Sequence, residues 1–256
     1  MRLNKKDLKL FLDEKVDKYN RWSCFRDDPV SIPHLFQRKE DIEIAGFLTA
    51  TIAWGRRETI VTSAKRMIAF LEYSPFEFVM HHKENDLQKI RGVIHRTFQS
   101  DDLIYFIKSL KRIYQSKNGL EGIFRLYQTG TSMQPAIHRF RELFFEAPHT
   151  QRIAKHIPDP LKGSAAKRMN LFLRWMIRKD RNGVDPGIWT SVSPSKLSCP
   201  LDVHSGRVAR KLGLLHRNMN DAKAVNELDL ALRELDATDP VKYDFALFGL
   251  GWYEGL

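Results

Sequence analysis

Apolar residues recur along this chain in steps of three and four, and sustained alternation of the strand type is nearly absent. That pattern predicts a mainly helical fold. Leu8, Leu10, Phe11, Leu12 and Val16 outline a first amphipathic helix, after which RDDPVSIPHLFQRKED breaks the period with two prolines. From Ile42 to Trp54 the run IEIAGFLTATIAW is apolar nearly all round, which predicts a buried central helix ended by Gly55. Five further amphipathic segments follow: TIVTSAKRMIAFLEY, FEFVMHHKENDLQKIRG, DDLIYFIKSLKRIYQS, GLEGIFRLYQ and MQPAIHRFRELFFE. Ser-Pro, Gly or Asn-Gly breaks separate them. No segment copies another, which argues against a solenoid.

The stretch APHTQRIAKHIPDPLKGSAAKR reads as a turn leading into a helix that runs to about Arg178. In that helix Ala166, Met169, Phe172, Leu173, Met176 and Ile177 make an apolar stripe, while Lys167, Asn170, Arg174 and Arg178 follow the opposite face. A solvated basic face is the plain reading of those four residues. A second breaker cluster, DRNGVDPGIWTSVSPSKLSCP, precedes a helix opened by Asp202 in CPLDVHSGRVARKLGLL. Aspartate is a strong N-cap, so capping alone accounts for Asp202. Held at a cleft, however, a cap carboxylate stays ionised and can stabilise a developing cation.

Composition narrows the function classes. With 256 residues, 43% of them hydrophobic, the chain can bury a substantial core in one large domain or two lobes. Lys plus Arg number 42 against 31 Asp plus Glu, a net charge of +11 that favours polyanionic partners, nucleic acid first. Cys24 and Cys199 are too few for a disulfide framework or a four-cysteine metal site, and they suit a reducing cytoplasm. The first residues lack the apolar core of a signal peptide, and no run approaches the ~20 apolar residues of a membrane span. The nine histidines are scattered and His81-His82 point apart on a helix, so neither a metal nor a cofactor is expected. A phosphate-loop signature is also lacking.

A turn of small residues before a lysine-bearing helix, a Pro-x-Asp-x-His entering another helix, and YDFALFGLG near the end together resemble the helix-hairpin-helix superfamily of base-excision DNA glycosylases. The resemblance covers roughly residues 40 to 256 and is strongest in PLDVHSGRVARKLGL. In that superfamily the hairpin reads glycine, any residue, glycine, one more residue, then the catalytic lysine. Here Gly163, Ser164, Ala165, Ala166 and Lys167 keep the lysine in register but put Ala165 where the second glycine stands. Lys167 and Asp202 lie 35 positions apart, a long separation that is similar to the archaeal 8-oxoguanine glycosylase branch. The chain also resembles a conserved, uncharacterised bacterial protein family.

The resemblance implies an all-α fold of two helical lobes with a helix-hairpin-helix-like element: residues 40–160 as a middle helical barrel, and 1–39 with 161–256 as the other lobe. The cleft between them would hold Lys167 as the Schiff-base nucleophile and Asp202 as the carboxylate that stabilises an oxocarbenium-like sugar. The implied partner is double-stranded DNA with a damaged base, an oxidised purine such as 8-oxoguanine, flipped from the duplex. Lys162, Gly163, Arg168, Arg207 and Arg210 would meet phosphates, and His204 would either join them or brace the Asp202 turn. Arg56 and Arg57, after Trp54, fall on the superfamily's inserting loop, although core packing and helix-end solvation explain them equally well. Phe248 and Trp252, with Phe245 and Tyr253 nearby, could stack on the extruded base, or simply fill the core. A free-amine lysine needs help, because at an ordinary pKa near 10.4 under ~1% is neutral at pH 7; Arg168 and Lys162 are the local cations that could supply it. The alternative is a non-catalytic nucleic-acid-binding protein that keeps the fold.

Overall fold

The structure, a computed structural model, describes residues 4–256; Met1–Leu3, the start of the expected second lobe, lie outside the described residues. Its helices run in the order α1 (Lys5–Tyr19), α2 (Lys39–Thr51), α3 (Arg57–Phe70), α4 (Pro75–His81) and the single turn α5 (Glu84–Leu87). A short antiparallel pair, β1 (Val93–His95) and β2 (Phe98–Gln99), comes next. Then follow α6 (Ser100–Ser116), α7 (Gly119–Tyr127), α8 (Gln134–Phe144), the single turn α9 (Gln151–Ala154), α10 (Lys167–Ile177), α11 (Val203–Lys211), α12 (Ala222–Leu235) and α13 (Tyr243–Trp252). The protein is therefore mainly α, as the periodicity predicts. None of the described helices is long and apolar enough to cross a membrane.

Apolar side chains gather in two clusters. The larger is built on α2, whose residues Ile42–Thr51 are all buried, and it takes in α3, α4, α6, α7, α8 and α10. Phe47 sits at its centre, within 5.7 Å of the rings of Phe106, Phe140, Phe144 and Phe172. The smaller cluster joins α1, α11, α12 and α13 through Leu12, Val208, Leu228 and Leu247. Helix α13 serves both, sending Phe245 into the larger and Tyr243 and Leu250 into the smaller.

Three sequence expectations change in the structure. The central helix stops at Thr51 rather than Trp54, because the Thr51 carbonyl accepts from Arg168 Nη1 at 2.7 Å and Trp54 turns its carbonyl to His95 Nε2 at 2.9 Å. The segment FEFVMHHKENDLQKIRG is not one helix: the chain turns extended at His82, and Asp86 accepts from Lys83 N to begin a new turn. The third correction concerns α10. Its stripe from Ala166 to Ile177 is buried as expected, but Asn170, Arg174 and Arg178 on the other face are buried too, at 1%, 4% and 3% exposure. That face is not solvated, because Asp185, Asp239 and Asp244 from later segments close over its arginines. Helix α10 thus lies between the two clusters, its apolar stripe on α2 and its arginines on α13.

Candidate functional site

Two local devices bring Lys167 and Asp202 together. Ahead of Lys167, the Asp159 carboxylate accepts from Leu161 N at 3.1 Å and lies 2.9 Å from His138 Nδ1, which fixes a turn ending at Gly163. Gly163 has φ +91°, a conformation that a side chain disfavours, so glycine is needed there for its backbone rather than for space. Ala222 N donates to Gly163 O at 3.0 Å, tying the turn to α12. Ala166, also left-handed at φ +45°, then starts α10 with Lys167 as its first residue. Asn170 Nδ2 holds Ala165 O at 3.1 Å and so locks the turn against the helix it opens.

Asp202 is the N-cap of α11 in a reciprocal box. Its Oδ1 accepts from His204 N at 2.8 Å and from Ser205 N at 2.9 Å, while Ser205 Oγ accepts from Asp202 N at 2.9 Å. Upstream, Cys199 N donates to Asp229 Oδ1 at 2.9 Å and anchors the segment that delivers the cap. Capping occupies Oδ1, which leaves Oδ2 facing the neighbouring helix, and Lys167 Nζ lies 3.1 Å from it. Both side chains remain about one-third exposed, at 34% and 32%. Burial pushes the Asp202 carboxyl up, but the Lys167 ammonium and the Ser205 N–H outweigh it, and the net shift is below the usual carboxylate value.

A further carboxylate, close enough to feel the Lys167 charge, was missed by the sequence reading. Asp28 caps a short turn through Val30 N at 3.1 Å, and its Oδ2 lies 3.3 Å from Arg57 Nε. Burial pushes the Asp28 carboxyl up, and the charges of Arg57, Arg174 and Lys167 offset only part of that rise. The Arg57 guanidinium lies over the rings of both Phe248 and Trp252, 5.0 Å from each centroid. Those two rings stack with centroids 6.2 Å apart and planes 13° from parallel. Arg57 therefore bridges α3 to α13 rather than pointing into solvent. The Asp-Pro pair in RDDPVSIP was the available signal, since aspartate before proline favours a capped turn.

The remaining sequence-nominated residues separate into two groups. Arg56, Lys162, Gly163, His204 and Arg207 are exposed. Arg168 and Arg210 are engaged by the protein itself. The Arg168 guanidinium donates to Thr51 O and Lys155 O and lies 4.8 Å from the Trp54 ring centroid; burial lowers its pKa to about 10, so it stays cationic at neutral pH. Arg210 donates to Arg217 O at 2.8 Å and Asn220 Oδ1 at 2.6 Å, and Asn220 in turn holds Asp202 O at 2.8 Å. These two arginines brace the elements that carry Lys167 and Asp202 instead of presenting free charge. Phe248 is half-buried and Trp252 is 57% exposed.

Among the described residues, no group of three or more His, Cys, Asp or Glu side chains is arranged to hold a metal ion. Two open grooves have volumes of about 420 and 550 Å³, and neither is lined by Lys167 or Asp202. The first adjoins the Gly163 turn at Lys162 and Ser164, and the second runs between α3 and the β1–β2 pair.

No curated protein and no solved structure matches the chain. A family model described as "Protein of unknown function (DUF2400)" matches residues 28–253, from Asp28 through both halves of the Lys167–Asp202 pair to Tyr253, and the chain belongs to that family.

Proposed function

We propose that the protein is a base-excision DNA glycosylase with AP-lyase chemistry, acting on an oxidised purine such as 8-oxoguanine. The observation that carries this reading is the 3.1 Å approach of Lys167 Nζ to Asp202 Oδ2 at the starts of two helices 35 positions apart. In this reading residues 40–160 form one lobe, 1–39 with 161–256 the other, and the Gly163–Lys167 turn is the hairpin-like element.

Rupture of an N-glycosidic bond develops positive charge on the sugar, and a carboxylate about 4 Å away stabilises it by roughly 4 kcal/mol at an effective dielectric near 20. Asp202 is built to remain that carboxylate, since Lys167 and the helix N–H groups favour its ionised form. Lys167, once it has given up a proton, attacks C1′ with its lone pair. The C1′–N bond breaks with its electrons to the base, which takes up a proton. Ring opening of the sugar then leaves a Schiff base from which the 3′ phosphate is eliminated. Phe248 and Trp252 offer the extruded base a stacking surface next to Arg57. The +11 charge and the exposed Arg56, Lys162 and Arg207 favour the DNA backbone as partner.

A non-catalytic nucleic-acid-binding relative is the second reading, favoured by the same ion pair, because Lys167 and Asp202 satisfy each other's charge. Asp202→Asn separates the two. If the protein is an enzyme, wild type releases 8-oxoguanine from a duplex, and the variant loses at least ~100-fold of that rate while binding DNA within about threefold of wild type. Salt-sensitive DNA binding by wild type with no base release would instead support the second reading.

A further inference from the structure

The β1–β2 turn carries an arginine where its backbone asks for something else. His95 pairs with Phe98, so Arg96 and Thr97 form a two-residue hairpin turn. Arg96 has φ +51°, a conformation that such turns usually give to glycine or asparagine. A cost is paid locally for a long cationic side chain at this point. That side chain folds onto the loop between α2 and α3: a Cβ added at Gly55, itself at φ +99°, would come within 2.7 Å of Arg96 Nη1.

The arrangement is firmly held. His95 is buried and spans two elements, with Nδ1 3.0 Å from Ser63 Oγ on α3 and Nε2 2.9 Å from Trp54 O. Arg66 Nη2 donates to Val93 O at 2.6 Å and to the next carbonyl, clamping β1 to α3. The Trp54 ring packs edge-on to His95 and under the guanidinium of Arg168, the residue after Lys167. A continuous chain of contacts therefore joins the turn to the start of α10. Arg56 and Arg96, both exposed, make no ion pair among the described residues. The open groove beside them contains Arg66 and the hydroxyls of Thr59 and Thr62, with Glu58 as its one carboxylate.

We propose that the β1–β2 turn is a second arm of the DNA-binding face, in which Arg96, seated on Gly55 beside Arg56, binds a backbone phosphate of duplex DNA. This rests on the nucleic-acid partner of the proposed function and adds to it a contact remote from Lys167 in sequence. Arginine suits the role because its planar fork bonds phosphate oxygens in pairs. Arg56 and Arg96 thus put two exposed guanidinium groups on adjoining turns, spaced for a backbone that carries one charge per phosphate.

The test is fluorescence anisotropy on a duplex carrying a stable abasic analogue, from 50 to 200 mM KCl, with wild type, Arg96→Ala, Arg96→Gly and Lys162→Ala. Arg96→Gly removes the side chain while relieving the turn, so it should melt at or above the wild-type temperature. Both Arg96 variants are expected to bind about 5-fold to 10-fold more weakly at 100 mM salt, with the log–log salt slope reduced by about one. Wild-type affinity in both, with Lys162→Ala weakened, would overturn the proposal and leave the DNA-binding reading standing. Absence of salt-sensitive binding by wild type would overturn both.

Discussion

One face of α10 carries Lys167 at its start and Arg174 and Arg178 farther along, and the two ends have opposite fates. Lys167 keeps 34% of its side chain exposed and meets one carboxylate oxygen. Arg174 is buried between Asp185 and Asp244, and Arg178 among Asp180, Asp185 and Asp239, with both guanidinium groups over the Phe245 ring. Helical period places all of them on a single stripe and says nothing of what covers it. A buried cation must be fully matched, because desolvation costs several kcal/mol and only near charges and hydrogen bonds offset it. A cation that stays one-third exposed keeps part of its hydration and needs only one partner. The multiply paired end therefore reads as architecture, and the singly paired end is the one the proposed function uses.

Mutation of each end should break this contrast in opposite ways. Arg174→Met strands the buried Asp244 and leaves Asp185 with Arg178 alone, and it should lower the free energy of unfolding by about 3–5 kcal/mol in urea titration. A loss under ~1 kcal/mol would mean that the buried network is not structural. Asp229 sharpens the same point, for it is a buried acid whose nearest arginine, Arg233, stays 3.9 Å away. Burial pushes its carboxyl up to about 7, against the lesser pull of Ser198, Cys199 N–H and Arg233. A folded pKa above the unfolded one gives stability that is complete below about pH 4 and is lost as pH rises through about 7. Asp229→Asn should flatten that fall, worth on the order of 2–4 kcal/mol, in denaturation curves taken from pH 4 to 8.

At the open end the stability effects are smaller. Lys167→Gln should cost no more than about 1 kcal/mol, as part-exposed ion pairs do, and a loss as large as that of Arg174→Met would remove the distinction. Smallest of all is Asp202→Asn, because asparagine caps a helix nearly as well as aspartate. Asp202 has a lowered folded pKa, so its contribution is present above about pH 4 and lost as pH falls through the folded value. The variant should lack that acid-side loss, a few tenths of a kcal/mol in thermal melts between pH 2 and 5.

How much of this could be read from the chain follows the same division. The buried run from Ile42 and the apolar stripe of α10 were legible because burial on a helix repeats at 3.6 residues. The buried character of Arg174 and Arg178 was not, since their carboxylates come from loops and from α13, as far as 70 positions away. Asp28 lay in a proline-broken stretch with no period to follow, and the β1–β2 pair is too short for alternation to register. Lys167 and Asp202 were singled out by resemblance, because a lysine on a polar face and an aspartate cap are individually commonplace. Their 3.1 Å approach is a fact of packing that neither local pattern contained.

The central claim is that Lys167 is held beside Asp202 to react, and borohydride trapping on duplex DNA carrying an abasic site or 8-oxoguanine tests it most directly. Wild type should form a covalent adduct that Lys167→Gln, folded and still binding DNA, does not form. A wild-type protein that binds both duplexes and yields no adduct with either would contradict the assignment of Lys167 as nucleophile.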